Sequence, residues 1–226
     1  MPIEVHVIDG AHTAGRKAGW TATGVVEVSV TEWRADTSFD EVMELRRAPS
    51  VIGEGRLENA LGFVGHVFRT WEAGQGQNVG LSRKPAISAG ALHPIDVLVV
   101  AGPGVQEPMV FSDRDSKWLT LHVKCPDALA EAIAECREIL PTARGHLLLL
   151  AGDRRRVAAR YRPPESLLWR DAGAALQTCA MAAFAYGFAF CPLGDTGKAI
   201  LDQLRPPHDE FVALGLGVFG KVVTMK

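Results

Sequence analysis

One stretch of the sequence restricts the fold more than any other, because residues 172–190 contain no charged side chain. A run of about twenty apolar residues is long enough to span a bilayer. This run, however, contains Gln177, Thr178 and Tyr186 among many alanines, and no belt of aromatic and basic residues flanks it. A helix that is apolar on all sides is typical of a protein interior. We therefore expect residues 166–188 to form one long helix buried at the centre of a globular fold, and no membrane span.

The overall composition agrees with a globular protein. Apolar residues make up 47% of the 226 residues and charged residues 22%, which is enough apolar surface for a substantial core. No linker rich in Ser, Gly or charges divides the chain, so we expect one domain at residues 38–226. Residues 1–37 would form an N-terminal extension with one strand. The formal net charge of −2, with both signs interspersed, predicts no affinity for nucleic acid or for an anionic membrane.

The cysteines and the N-terminal residues indicate the compartment. No CxxC or metal-ligand spacing occurs among the four cysteines, Cys125, Cys136, Cys179 and Cys191, which is typical of reduced thiols. The seven histidines are scattered, so the sequence predicts no metal site. The first thirty residues lack the basic and then apolar segments of a secretory signal. We expect a cytoplasmic protein.

The hydrophobic pattern alternates between strands and helices without a strict βαβ rhythm. Ser38 and Glu41 have the spacing of a capping box and predict a helix at residues 39–47. Continuous apolar runs predict buried strands at 95–101, 146–151 and 211–219. The other predicted elements are helices at 55–73, 127–140 and 166–188, a short helix within 194–204, a strand at 25–30 and a hairpin of strands at 109–111 and 118–123. This order predicts the α+β class, with a mixed sheet wrapped by helices.

Three segments of small residues lie beside the predicted buried strands. The segment 84–94, KPAISAGALHP, enters its strand through Ser88, Gly90 and a His-Pro step. The other two segments are CPLGD at 191–195 and GLGVFG at 215–220. Small residues let backbone N–H groups approach a flat or anionic ligand, although packing alone could also require each glycine. The GxSxG, GxxxxGK[ST] and HExxH signatures do not occur, and no GxGxxG occurs at a strand-to-helix turn.

These segments, taken in order, carry a resemblance to a known family. SAGALHP before an apolar strand, RYRPPESLLWRDAG at 160–173 before a long alanine-rich helix, and CPLG at 191–194 resemble the nitroreductase-like flavoprotein superfamily. The sequence is most similar to its SagB-type branch, which includes azoline dehydrogenases of peptide natural-product pathways. The resemblance covers roughly residues 40–221. It implies a nitroreductase-like fold, FMN as the cofactor, and a homodimer that shapes the flavin site between two subunits.

The resemblance also implies which residues contact the flavin ring. The pyrimidine edge of FMN would lie against the first small-residue loop, at Ser88, Gly90, Ala91 and Leu92. His93 either flanks the isoalloxazine or closes the turn with Pro94, and the sequence leaves both readings open. The reactive N5 atom would be approached by the second segment, at Leu193, Gly194 and Asp195.

For the FMN phosphate, the family uses a basic-Ser-basic cluster at the end of the first helix and a basic residue after the last strand. Arg46, Arg47 and Ser50 lie at the first position and Lys221 at the last. The family's Arg-Arg-Ser-x-Arg is replaced here by RRAPS, with loss of a Ser and of the final Arg. A charge-assisted contact contributes about 1.5 to 3 kcal/mol. The loss of one such contact predicts FMN binding that is weaker by about one or two orders of magnitude.

The residues just before the long helix include the candidate for proton transfer. Azoline dehydrogenases have a Lys-Tyr pair that handles the substrate proton near the position of Arg160 and Tyr161 here. Because arginine stays protonated, Tyr161 is the candidate acid or base, and a structural tyrosine is the alternative. Asp171 either contacts a basic group of a partner or loop, or is a first-turn acid favoured by the helix dipole.

The resemblance predicts an FMN-dependent oxidoreductase that passes a hydride through N5 to or from a small-molecule or peptide substrate. Azoline oxidation in a modified peptide is one version, and nitro or quinone reduction is another. The alternative is a non-catalytic binding or scaffolding subunit with a degraded flavin site, which the altered RRAPS segment favours. Cleavage or remodelling of the flavin itself is a third hypothesis.

Overall fold

The structure is a computed structural model that describes residues 6–7, 19–28, 33–73 and 82–223. The strands are β1 His6–Val7, β2 Ala22–Val26, β3 Ile52–Gly53, β4 Glu72–Ala73, β5 Ser82–Arg83, β6 Ile95–Ala101, β7 Met109–Ser112, β8 Lys117–Leu121, β9 His146–Asp153, β10 Tyr161–Arg162, β11 Phe188–Pro192 and β12 Phe211–Val222. The helices are α1 Phe39–Leu45, α2 Leu57–Phe68, α3 Pro126–Glu138, α4 Arg154–Ala158, α5 Glu165–Ala185 and α6 Lys198–Asp202, and a 3₁₀ turn lies at Ala89–Ala91. This combination confirms the predicted α+β class.

The main sheet has the strand order β11-β12-β9-β6-β7-β8-β2, and β3 pairs with the end of β12. All strand pairs described in this sheet are antiparallel. The parallel part of the expected mixed sheet is limited, in the described residues, to an isolated bridge between Ile52 and Ala143. In the centre of the sheet, Leu149 of β9 lies opposite both Leu98 of β6 and Leu216 of β12.

Both faces of the central strands are buried because helices cover the sheet on both sides. Successive side chains of a strand point to opposite faces. In β9, Leu148 and Leu150 belong to the core cluster shared with α2 and α5. Leu147 and Leu149 belong to the cluster shared with α3 and α6. The predicted buried strands therefore show continuous apolar runs instead of an alternating pattern.

Helix α5 is the predicted long central helix, but only one of its faces is buried. The buried face includes Leu168, Asp171, Ala172 and Cys179. The opposite face is exposed at Trp169, Gly173 and Gln177, so the prediction of burial on all sides is wrong for the single chain. The helix ends before Gly187, whose φ of 72° is left-handed, and the chain then turns into β11. No described helix is both long and apolar enough to cross a membrane.

The N-terminal residues contribute to the sheet. β2 pairs with β8 and forms an edge of the main sheet, and β1 pairs with β10. Among the described residues, two strands therefore lie before residue 38. The sequence predicted one there, at residues 25–30, of which 29 and 30 are not described. The division into an extension and a domain at residue 37 stays a prediction. The capping box of α1 is confirmed, because Ser38 Oγ accepts from Glu41 N and Glu41 Oε2 accepts from Ser38 N, at 3.2 and 2.8 Å.

Two histidines, His66 and His146, lie in environments that favour the neutral imidazole. Arg69 Nη1 donates to His66 Nδ1 at 2.5 Å, so His66 donates through Nε2 to Tyr186 Oη at 2.8 Å. Burial, and then the charge of Arg69, lower the pKa of His66. His146 has no exposed surface, and its Nε2 donates to Pro103 O at 3.0 Å. Burial also lowers the pKa of His146.

These lowered pKa values predict that the fold loses stability in mild acid. Unfolded histidine has a pKa of about 6.5, so the unfolded chain binds more protons than the folded chain below that pH. The stabilising contribution is complete above about pH 6.5 and is lost as the pH falls through the lower folded pKa. We expect the melting temperature to fall between about pH 7.5 and 5.5, and to fall less in His66→Gln, since glutamine retains a donor for Tyr186 and cannot titrate. Exposed His122→Gln is the control, and an equal fall in His66→Gln and wild type would contradict the assignment.

Candidate functional site

The first half of the candidate site is the loop of residues 88–93, which joins β5 to β6 and is called here the 88–93 loop. Gly90, Ala91 and His93 have φ values of 58°, 54° and 46°. Left-handed backbone is uncommon for residues other than glycine. Two such residues in one short loop require contacts from the rest of the fold that hold them in place.

A buried carboxylate supplies the strongest of these contacts. Ser88 Oγ donates to Asp171 Oδ2 at 2.5 Å and accepts from His93 N at 2.9 Å. Ala89 N donates to Asp171 Oδ1 at 3.1 Å. The Asp171 residue is only 6% exposed. Burial raises the pKa of Asp171, and the hydrogen bonds from Ser88 and Ala89 oppose that rise. The Ser88 hydroxyl therefore donates its proton to Asp171, within the chain, and not to a ligand.

Sequence reasoning missed this role of Asp171. The helix begins at Glu165, so Asp171 lies in the second turn and not in the first, and the dipole explanation does not apply. Its partner Ser88 is 83 residues away in the sequence. A signal was nevertheless present, because Asp171 is an acid within the apolar stripe that α5 buries, and a buried acid needs donors.

Three further side chains fix the carbonyl groups around the loop. Arg156 Nε donates to Leu92 O at 2.6 Å, and Arg160 Nη1 donates to Gly90 O at 3.4 Å. The His93 imidazole donates to the carbonyl of Ser82 at 2.7 Å. The contact of His93 with Ser82 favours the reading in which His93 closes the turn. Its contact with a flavin stays a prediction.

Tyr161 lies directly against this loop. A Cβ atom added at Gly90 would overlap the Tyr161 hydroxyl, so glycine is needed at this position for close approach as well as for its backbone conformation. The Arg160 guanidinium lies 5.7 Å from the centre of the Tyr161 ring. The cavity beneath the loop measures only about 20 Å³, which is room for about one water molecule. A flat ligand would therefore have to lie on the outer surface of the loop.

The second half of the candidate site is the basic cluster, defined as Arg46, Arg47, Ser50 and Lys221. Gly53 of β3 pairs with Lys221 of β12, which places the segment before β3 beside the end of β12. Arg47 Nη1 donates to the carbonyls of Glu44 and Arg46 at 2.8 and 3.0 Å. No ion pair neutralises the three cations of the cluster within the described ranges. Such unneutralised charge suits a phosphate group.

The predicted N5-proximal residues form a turn at 193–195, between these two halves along β12. Leu193 N donates to Leu216 O at 2.9 Å, and Leu216 N donates to Asp195 O at 3.2 Å. Gly194 is open, because an added Cβ atom would meet no atom within 4 Å. Across the part of the chain that the structure describes, no group of three or more His, Cys, Asp or Glu side chains could hold a metal ion.

The two halves of the site do not meet within one chain. The structure brings together the predicted residues Ser88, Gly90, Ala91, Leu92, His93 and Tyr161 at one end of the sheet. Ile95, just after the loop, pairs with Gly152, which pairs with Val212 near the start of β12. Lys221 lies at the other end of β12, roughly 30 Å away at about 3.3 Å per residue. One flavin mononucleotide cannot span that distance from ring to phosphate.

No sequence-family model and no curated protein matches the chain. Its structure is similar to that of a protein assigned as a nitroreductase from Ralstonia eutropha JMP134, with a TM-score of 0.67 and 12% identity, and the match covers 99% of this chain and 100% of that chain. The chain has the nitroreductase-like fold. The fold predicted from the sequence resemblance is thus confirmed.

Two other solved structures with the nitroreductase-like fold bear on the site. One is the Escherichia coli microcin synthetase McbBCD complex with truncated pro-MccB17 bound, with a TM-score of 0.59, 14% identity, and coverage of 88% of this chain and 79% of that chain. The other is a protein assigned as a nitroreductase from Exiguobacterium sibiricum 255-15, in complex with FMN. Its TM-score is 0.54 with 13% identity, and the match covers 84% of this chain and 91% of that chain.

The overlap between Gly90 and Tyr161 predicts a large effect of a single methyl group. Left-handed strain costs about 1–2 kcal/mol and overpacking about 1–3 kcal/mol. We therefore expect Gly90→Ala to lower the free energy of unfolding by about 2–5 kcal/mol in a denaturant titration. Tyr161→Phe in the Gly90→Ala background should recover part of this loss, because it removes the overlapping hydroxyl.

Gly194→Ala is the matched control, since its methyl group would enter open space. Its effect should stay within about 0.5 kcal/mol. Equal effects of Gly90→Ala and Gly194→Ala would show that the 88–93 loop is not held as described.

Proposed function

We propose that the chain is an FMN-dependent oxidoreductase that passes a hydride through flavin N5 to or from an organic substrate. The observation that carries the proposal is that the three cations of the basic cluster, Arg46, Arg47 and Lys221, have no acidic partner in the described residues. A structural neighbour in complex with FMN supports FMN as the cofactor.

The basic cluster would bind the FMN phosphate, with Ser50 as an additional hydroxyl donor. The RRAPS segment retains two arginines of the family pattern but lacks its final arginine. Lys221 would therefore carry a larger share of the phosphate binding than it does in the family pattern. Its position is well defined, because Lys221 pairs with both Gly53 and Phe188.

The 88–93 loop would bind the edge of the flavin ring through its backbone, since the Ser88 hydroxyl proton is already donated to Asp171. When bound, FMN supplies hydride transfer, and the protein supplies orientation and hydrogen bonds. The turn of Leu193, Gly194 and Asp195 would border N5, where the absence of side-chain atoms around Gly194 leaves room for a ring. Tyr161, which lies against Gly90, is the candidate for moving a proton.

A homodimer would bring the two halves of the site together. The exposed stripe of α5 includes Trp169, which is 51% exposed, together with Gly173 and Gln177. Ile87, beside the 88–93 loop, is 78% exposed. A twofold axis through this face would pack α5 antiparallel to its copy. The 88–93 loop of one subunit would then lie near the basic cluster of its partner.

The substrate class follows from the sequence resemblance to the SagB-type branch. We propose azoline oxidation in a modified peptide, and a neighbour solved with truncated pro-MccB17 bound supports a peptide substrate. Nitro or quinone reduction is the second version of the same redox chemistry. The rival function is that of a non-catalytic binding or scaffolding subunit, which the loss of the final arginine in RRAPS favours.

FMN titration followed by visible absorption tests the proposal. We expect the wild-type chain to bind FMN, and dithionite to reduce the bound flavin. We expect Lys221→Ala to raise the FMN Kd about tenfold to hundredfold, because a charge-assisted contact contributes about 1.5–3 kcal/mol.

Lys198→Ala is the matched control, because Lys198 is exposed and already paired with Asp202 at 2.5 Å. Its Kd should equal that of the wild type. A wild-type chain that takes up no FMN would contradict the oxidoreductase proposal and favour the rival function.

A further inference from the structure

The hydrogen bonds of the 88–93 loop leave two backbone donors, Ser88 N and Gly90 N, without an acceptor in the described residues. Ala89 N donates to Asp171 and His93 N donates to Ser88 Oγ, as described above. Ala91 N and Leu92 N donate to the carbonyls of Ser88 and Ala89, at 3.1 and 3.3 Å. Gly90 N has no acceptor in the described part of the chain, and Gly90 is exposed. Of these two donors, Gly90 N belongs to the exposed residue, whereas Ser88 is partly buried.

Asp171 binds the two residues that precede Gly90. Its two carboxylate oxygens accept from Ser88 and Ala89, the two residues that immediately precede Gly90. The same Ser88 hydroxyl also accepts from His93 N, at the far end of the loop. One buried carboxylate thus fixes both ends of the segment in which the left-handed residues occur.

The other contacts restrain the loop without replacing Asp171. Arg156 and Arg160 bind the carbonyls of Leu92 and Gly90, and Tyr161 limits the space behind Gly90. None of these groups binds an N–H group of the loop. Since a carboxylate accepts several hydrogen bonds and an arginine accepts none, only Asp171 and Ser88 can hold the loop amides inward.

We infer that Asp171 is a positioning residue, which holds the 88–93 loop so that Gly90 N–H points outward to donate to a carbonyl on the edge of a flat ligand. This inference rests on the proposed function, in which that ligand is the flavin ring. Asp171 itself touches no ligand, because it is buried beneath the loop and its acceptors are occupied by Ser88 and Ala89.

Amide hydrogen exchange in the FMN-free protein, measured residue by residue by NMR, tests the first part of the inference. We expect Asp171→Ala to accelerate exchange at Ala89 and His93 at least about tenfold. The Ala89 amide loses its acceptor, and the His93 amide loses the orientation of its acceptor, the Ser88 hydroxyl. Asp171→Asn should lie between Ala and wild type, since its Oδ1 can still accept from Ala89. Cys179→Ala, a buried truncation on the same face of α5, controls for lost packing and should leave these two rates unchanged.

FMN binding tests the second part. We expect Asp171→Ala to raise the FMN Kd about tenfold and to alter the visible circular dichroism of the bound flavin, with Asp171→Asn again intermediate. A role limited to stability would shift the melting temperature without this graded change in the flavin signal. Should Asp171→Ala fail to fold, Ser88→Ala removes the hydrogen bond to Asp171 from the other side. It should accelerate exchange at His93, whose N–H loses its acceptor, and raise the FMN Kd, while Ala89 keeps its bond to Asp171 Oδ1.

The outcomes separate the two proposals. Unchanged exchange at Ala89 and His93 in Asp171→Ala would overturn the inference, as would faster exchange with unchanged FMN affinity. A wild-type chain that binds no FMN would overturn the proposed function instead, and the exchange rates would still decide whether Asp171 holds the loop.

Discussion

Burial of the central strands on both faces is the constraint on which the rest of the structure depends. β6, β9 and β12 are apolar along most of their length, so helices must cover both sides of the sheet. The ligand-facing residues are therefore confined to the ends of the sheet and to the uncovered face of α5. This confinement places the 88–93 loop and the basic cluster at opposite ends of β12.

One buried acid in this apolar framework finds its hydrogen-bond partners in the 88–93 loop. The Asp171 carboxylate lies within the buried stripe of α5 and is satisfied by Ser88 and Ala89. A buried carboxylate without partners lowers the stability of the fold. A buried carboxylate with partners fixes the positions of the groups that donate to it. The left-handed residues of the 88–93 loop are maintained by that restriction. The loop is thus shaped by the chain before any ligand arrives.

Much of the fold could be predicted from the sequence. The apolar runs at 95–101, 146–151 and 211–219 correspond to β6, β9 and β12, and the Ser38 capping box begins α1 as expected. These signals are local, so a single sequence contains them. The two-residue strands β1, β3, β4, β5 and β10 were missed, because such short strands are defined by their pairing partners and not by their own pattern. The edge strand β11 was missed as well, since the predicted long helix extended to residue 188.

The candidate site was less accessible to sequence reasoning. The small-residue segments pointed to Ser88 and Gly90 as flavin contacts, which stays a prediction. The partner of Ser88 lies on α5 and depends on the packing of that helix. The separation of the 88–93 loop from Lys221 depends on the register of β6, β9 and β12, which sequence patterns do not specify. The assignments of individual residues to the flavin stay predictions.

The most direct test of the account is the FMN stoichiometry of a mixed dimer, in which one subunit carries Gly90→Ala and the other carries Lys221→Ala. If the flavin site combines the 88–93 loop of one subunit with the basic cluster of its partner, the mixed dimer has one intact site and one doubly altered site. It should then bind one FMN per dimer with wild-type affinity, whereas each homodimer of a single variant binds weakly. A chain that stays monomeric, or a mixed dimer with no site of wild-type affinity, would contradict the account.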